Sequence, residues 1–284
     1  QHTPDAAETR TDVAEPAAPL RSFRKPAIAA PEVHLLSNGR YHVMVTESGG
    51  GYSRYKDFAV TRWREDSTRD CWGLFAYVRD LDSGRFWSVT HQPTVQSAQS
   101  YEAVFSQGRA DFRRRDENLD THMEIAVSPE DDIEVRRISI ANHGHERRRV
   151  ELTSYAEVVL APPAAEAAHP VFANLFVQTE IVPDRQALLC TRRPRSAAER
   201  PLWMLHLMAV SAVNAGEASY ETDRAAFVGR CQGLDDPAAM HVTHLQNSQG
   251  AVLDPIVAIR RAFTIEPDET VVIDIVTGVT ETRE

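Results

Sequence analysis

Between Gly51 and Trp72 the sequence concentrates side chains suited to recognising a polyhydroxylated ligand. Tyr52, Tyr55, Phe58, Trp63 and Trp72 are interleaved with Arg54, Lys56, Arg62, Arg64 and Arg69, and Asp57, Glu65, Asp66 and Asp70 lie among them. Aromatic faces cover the apolar C–H surface of a sugar ring, while guanidinium forks address its hydroxyls. The segment opens on the last of three glycines and reads as a long connection, the kind of segment that carries function on a rigid β scaffold. Tyr52, Arg54, Tyr55, Arg62 and Trp63 are therefore the candidate substrate-binding residues. The competing reading has the aromatics anchoring the loop to a sheet and the charges pairing among themselves. A second candidate segment is His169–Glu180, although Phe172, Leu175 and Val177 within it read as core.

Other chemistry is not signalled. The sequence has no GxSxG, HExxH or GxxxxGK[ST], and no GxGxxG after a strand. No catalytic residue, metal ligand or cofactor is assigned. His241 and His244 lack a suitably spaced Cys or carboxylate and read as loop histidines. Glu130-Asp131-Asp132 reads as a hairpin turn. Arg113–Arg115 and Arg147–Arg149 read as solvated strand faces and turn flanks.

The elements that must position these residues are strands. The chain has 284 residues, enough to bury a large core, and its 42% hydrophobic and 25% charged content is that of a globular domain. A net charge of −10 disfavours nucleic acid or an anionic membrane as partner and is compatible with a neutral glucan. Cys71, Cys190 and Cys231 form no CxxC pair, so neither a disulfide framework nor a zinc site is expected, and a reducing, cytoplasmic setting is the default. The longest apolar run, Leu202–Val213, is too short to span a bilayer. The chain opens on Gln1 without a charged-then-apolar leader, and reads as a piece of a longer polypeptide.

Residues 1–30, rich in Ala, Pro and Thr, read as a weakly ordered linker or tail, and 31–284 as the β domain. Asn38-Gly39 between Val33–Ser37 and Tyr41–Thr46 predicts a hairpin. Others are expected around Asp82-Ser83-Gly84 and Pro129–Asp132. In Arg149–Leu160 the alternation predicts a half-buried strand, and its slip at Arg136-Arg137 in Ile133–Ile140 predicts a bulge. Leu202–Val213 is expected to be buried on both faces, and Pro255–Glu266 to pair with Thr270–Val279. Only Ala215–Phe227 and Asp235–Met240 suit short helices, while 161–170 and 192–201 read as exposed loops. The expected fold is all-β: a large antiparallel two-sheet β-sandwich with few short helices.

Five stretches carry a family resemblance: LSNGRYHVMVTESGGGYSRYKDFAVTRWRED (36–66), LFAYVRDLDSGRFWSVTHQP (74–93), HPVFANLFVQTE (169–180), SYETDRAAFVGR (219–230) and LDPIVAIRRAFTI (253–265). Together they resemble the N-terminal β-sandwich of glycoside hydrolase family 94, the cellobiose phosphorylase family, in the version found toward the C-terminus of cyclic β-1,2-glucan synthases. The resemblance implies a galactose-mutarotase-like super-sandwich packed on an (α/α)6 catalytic barrel. That barrel would carry the catalytic acid and the phosphate site of an inverting phosphorylase. The partners so implied are the barrel, a β-glucan or oligosaccharide, and a second copy in a homodimer, within an inner-membrane parent. The loop after the glycines, Gly51–Trp63, would approach the active-site mouth. An autonomous carbohydrate-binding module is the alternative. A complete small mutarotase-like enzyme would need a converging His and carboxylate, which the sequence does not indicate.

Overall fold

The computed structural model describes residues 20–26, 30–66, 68–194 and 201–283. The first strands are β1 (Arg21–Phe23), β2 (Val33–Ser37), β3 (Tyr41–Thr46), β4 (Gly51–Tyr55), β5 (Phe58–Thr61), β6 (Phe75–Asp80) and β7 (Phe86–Ser88). Then follow β8 (Ser100–Ser106), β9 (Arg109–Asp116), β10 (Leu119–Val127), β11 (Ile133–Asn142) and the long β12 (Arg148–Ala161). After two short helices, α1 (Pro163–Ala168) and α2 (Pro170–Asn174), come β13 (Val177–Val182), β14 (Ala187–Arg192), β15 (Trp203–Val210) and β16 (Ser219–Asp223). A third short helix, α3 (Arg224–Val228), precedes β17 (Pro255–Ile265) and β18 (Thr270–Thr280).

These strands build two nine-stranded antiparallel sheets. The first runs β1-β8-β9-β10-β11-β18-β15-β14-β13. The second runs β16-β17-β12-β5-β4-β3-β2, with β6 on β12 and β7 on β6. Aliphatic and aromatic side chains of both inner faces, such as Val43, Phe105, Phe112, Ile125, Ile140, Leu152 and Ile273, form one continuous core. A smaller core lies on the outer side of the second sheet, where Phe227, Met240 and Leu245 cover Phe75, Tyr77 and Tyr155. Among the described residues, no helix is long and apolar enough to cross a membrane.

The two-sheet architecture matches the expected fold, with several local corrections. β11 keeps unbroken register with both neighbours, so there is no bulge at Arg136-Arg137. The apparent slip arises because Glu134 and Arg136 occupy interior positions. β12 is buried on both faces, not half-buried, since the 224–246 excursion covers its outer side. β15 is central but buried on one face only, through Met204, His206 and Met208. β17 and β18 do not pair; the turn at Pro267-Asp268 carries the chain from one sheet to the other. The 161–170 stretch contains α1 rather than an open loop, and most of Ala215–Phe227 is strand or irregular chain. Within the stretch read as a linker, β1 pairs with β8 at the sheet edge; residues 1–19 and 27–29 lie outside the described residues. Residues 195–200 of the second expected loop also lie outside them.

The sandwich interior is not wholly apolar. Glu134 is fully buried and accepts hydrogen bonds from Arg136 Nε at 3.0 Å, from Tyr41 Oη at 3.1 Å, and from Ser53 Oγ. Arg136 Nη1 donates to the Leu74 carbonyl at 2.6 Å. Glu134 and Arg136 come from the first sheet, and Tyr41 and Ser53 from the second. Nearby, His206 bridges Ser154 and Thr277, at 2.8 Å each, and so joins the sheets again. A buried polar group left unpaired costs about 1–3 kcal/mol, so these bonds select one relative placement of the sheets.

Burial, and secondarily the charge of Arg136, lowers the pKa of His206 from 6.5 to about 3. The unfolded chain takes up this proton near pH 6.5 and the folded chain does not. The contribution to stability is therefore complete above about pH 6.5 and is lost as pH falls toward about 3. The slope is roughly 1.4 kcal/mol per pH unit. Urea unfolding of wild type and His206→Gln across this range should show their stability difference narrowing below about pH 6.5. Parallel curves would contradict a neutral, buried His206.

Candidate functional site

The first half of the glycine-led segment is a tight hairpin, and only its second half, from 62 to the start of β6, is a long connection. β4 and β5 pair directly, turning at Lys56-Asp57. The preceding β3–β4 turn is buried, and its glycines are required by close approach. Gly49 has φ +95°, and a Cβ on Gly51 would overlap the Met44 carbonyl. Gly50 packs against Asp70, which accepts hydrogen bonds from Thr46 and Ser48.

Strand parity then sorts the candidate residues. Ser53 and Tyr55 point inward; Tyr55 is 6% exposed and part of the core. Tyr52 and Arg54 point outward. Cross-strand register aligns Leu35, Met44 and Tyr52 in one row, and Trp63 meets Tyr52 edge-on at 5.7 Å. Leu35 is 66% and Trp63 41% exposed. A second, polar row runs Ser37, His42, Arg54 and Ala59. The structure thus gathers Tyr52, Arg54 and Trp63 on one outer face and sends Tyr55 and Arg62 inward.

Two depressions flank the Tyr52–Trp63 pair. One, of about 320 Å3, is lined by Leu35, Ser37, His42, Tyr52, Arg54 and Lys56. The other, of about 400 Å3, is lined by Ala59, Trp63, Arg64, Glu65, Pro163 and Glu166. Arg64 lies over Trp72 at 5.7 Å and donates to Glu166 at 3.1 Å. The second candidate segment contributes α2, which presents Val171 and Phe172 to solvent and turns Asn174 inward.

Arg62 anchors this face from beneath. It is buried and bonded to Glu157, to Asp254 at 3.0 Å and to Asn174 at 2.8 Å, with Glu166 at 3.3 Å. Arg224 completes the cluster through Glu157 at 2.8 Å. Burial alone would lower the pKa of Arg62, but the carboxylates of Glu157 and Asp254 outweigh it and raise it. Sequence reasoning missed Glu157, Glu166, Asn174, Arg224 and Asp254, which converge from distant positions. The one available signal was Glu166, a lone carboxylate in the Ala- and Pro-rich 161–170 stretch.

The remaining charged motifs are engaged structurally. Arg114 pairs with Asp116, Arg115 with Asp120, Arg148 with Asp80 and Arg149 with Asp82. Asp132 in the β10–β11 turn holds Arg40 in the β2–β3 turn at 2.9 Å, and His241 pairs with Asp236 at 2.6 Å. Asp111, His122 and Glu124 bring donors of metal-binding type within 4.8 Å of one another. Arg109 spans the two carboxylates at 2.9 and 2.8 Å and already supplies their counter-charge. Burial raises the Cys190 thiol to about 12, which leaves it unreactive.

A family model described as the supersandwich domain of glycosyl hydrolase 94 matches residues 17–284. The chain is 36% identical over 235 residues to the cyclic beta-(1,2)-glucan synthase NdvB of Rhizobium meliloti, covering 82% of this chain and 8% of that protein. It is 23% identical over 265 residues to the N,N'-diacetylchitobiose phosphorylase of Vibrio furnissii, covering 90% of this chain and 32% of that protein. It thus spans a minor part of the length of either relative. Among solved structures, a galactose mutarotase-like protein from Clostridium acetobutylicum superposes with a TM-score of 0.47 at 8% identity, covering 94% of this chain and 99% of that one.

Removing one partner of a buried ion pair costs roughly 3–5 kcal/mol, because the remaining charges stay buried without compensation. Arg62→Met should lower stability by about that amount in urea unfolding, and adding Glu157→Gln should restore part of it. A loss below about 1 kcal/mol would place the anchoring of the Trp63 face elsewhere.

Proposed function

We propose that this chain, which belongs to the glycosyl hydrolase 94 supersandwich family, is the non-catalytic β-sandwich of a larger carbohydrate-active enzyme of glucan-synthase or phosphorylase type. In that role it supports an (α/α)6 catalytic barrel and presents Tyr52, Arg54 and Trp63 toward substrate at the barrel mouth.

The observation that carries this reading is the outer row Leu35–Met44–Tyr52–Trp63. Exposed Val33, Leu35, Trp63, Val171, Phe172 and Leu175 add apolar surface on these strands and the neighbouring helix. Apolar patches of this kind on a folded surface mark contact with a partner or ligand. Aromatic side chains with guanidinium neighbours suit the edge of a sugar site, where a ring can stack and hydroxyls can be bonded. Arg62 lends support from beneath rather than direct contact, and Tyr55 contributes packing.

In the parent enzyme, Tyr52→Ala and Trp63→Ala should each lower kcat/KM by about tenfold or more, equivalent to about 1.4 kcal/mol or more of transition-state binding. The 284-residue chain alone should bind β-1,2-gluco-oligosaccharides more weakly than millimolar in calorimetry. Micromolar binding by the chain alone, abolished by Tyr52→Ala, would favour an autonomous carbohydrate-binding module instead. Release of glucose 1-phosphate by the chain alone would overturn the non-catalytic assignment.

A further inference from the structure

We infer that the groove between β2, β3 and β4, centred on Arg54, is a subsite for an oxyanion: a carboxylate or phosphate ester on the bound ligand. The inference rests on reading the Tyr52–Trp63 face as ligand-facing, and it names the chemical class that face takes.

Three observations converge. First, among the described residues Arg54 forms no ion pair, and its Nε is sequestered from solvent without an acceptor. A guanidinium half-withdrawn from water loses hydration that an anion would replace, most effectively through two parallel hydrogen bonds. Second, the chain carries a net charge of −10, yet no Asp or Glu lines this groove. Lys56 sits at its rim, with its charge held by Glu281 at 3.2 Å. Arg54 is therefore the uncompensated cation facing it. Third, the neighbouring polar groups can donate to an anion. Ser37 Oγ accepts from the Gly39 N–H at 2.9 Å and shares a 2.8 Å hydrogen bond with His42 Nδ1; whichever of the two donates, the pair keeps one O–H or N–H to offer a ligand. The Tyr52 hydroxyl, in the adjacent row, also lacks a partner among the described residues.

A neutral sugar hydroxyl both donates and accepts, and no carboxylate in this lining offers it a charged acceptor. An oxyanion only accepts, and it neutralises Arg54. The strand pair that holds Arg54 is fixed on its inner side by the Ser53–Glu134 bond, so the guanidinium is presented from a rigid base.

The test is a titration of the 284-residue chain followed through the Arg54 Nε–H resonance by NMR. Three probes are used: inorganic phosphate, D-glucuronate and neutral D-glucose. Phosphate and glucuronate should shift this resonance saturably at millimolar concentration, and added salt should weaken the effect. Glucuronate binding alone assigns the subsite to an acidic sugar, and phosphate binding alone to a phosphate ester. Both anions should bind at least about tenfold more weakly to Arg54→Gln. If Arg54→Gln does not fold, Tyr52→Phe should still weaken binding by about twofold or more. The proposal is overturned if D-glucose shifts the resonance as much as the anions do. It is equally overturned if anion affinity is unchanged in Arg54→Gln. These readings need no barrel, so the groove and the supporting role succeed or fail separately.

Discussion

A carboxylate sealed between two β-sheets dictates how this molecule presents its surface. Glu134 is fully buried, and its bonds to Arg136 on its own strand and to Tyr41 and Ser53 on the opposite sheet are what make that burial tolerable. Strand parity carries the consequence outward. If Ser53 must face Glu134, then Tyr52 and Arg54 must face the other way. A one-residue slip of β4 would take Ser53 away from Glu134 and turn the bulky Tyr52 and Arg54 into the packed interior. The same logic acts one segment later, where the inward commitment of Arg62 to Glu157 and Asp254 leaves the adjacent Trp63 turned to solvent.

The interior charges that organise the fold are also what obscured it in the sequence. Hairpins such as β2–β3 and β10–β11 were legible because Asn38-Gly39 and Pro129–Asp132 are local signals that tertiary packing does not override. Glu134 and Arg136 instead read as a phase error in an otherwise regular strand, because a hydrophobic pattern treats charge as exposure. β12 shows the same effect. Glu151 and Glu157 suggested a solvent face, whereas Arg79, Arg260, Arg62 and Arg224 meet them under a covering excursion. The switch between sheets from β17 to β18 leaves no mark in either strand, since both alternate correctly for any partner.

Of the candidate site, residue types were legible and orientation was not. The aromatic and guanidinium composition of 51–66 marked a stretch of which Tyr52, Arg54 and Trp63 reach the surface. Which of its members reach solvent depended on inward partners more than 80 positions away, Glu134 for Ser53 and Glu157 for Arg62. The depression beside Trp63 likewise needed α1, a helix too short to register as a period. The family relationship supplies the carbohydrate context, and the packing determines which side chains of this segment are presented outward.

The central claim is that the outer face of β2–β5 is the working face of the domain. It is tested most directly by hydrogen–deuterium exchange on the chain alone and with the catalytic barrel added. The account predicts that protection appears in β2, in β4–β5 and in the 62–66 strip, and is absent from β13 and β14 at the far edge of the other sheet. Protection confined to β13 and β14, with the Tyr52–Trp63 face unchanged, would contradict it.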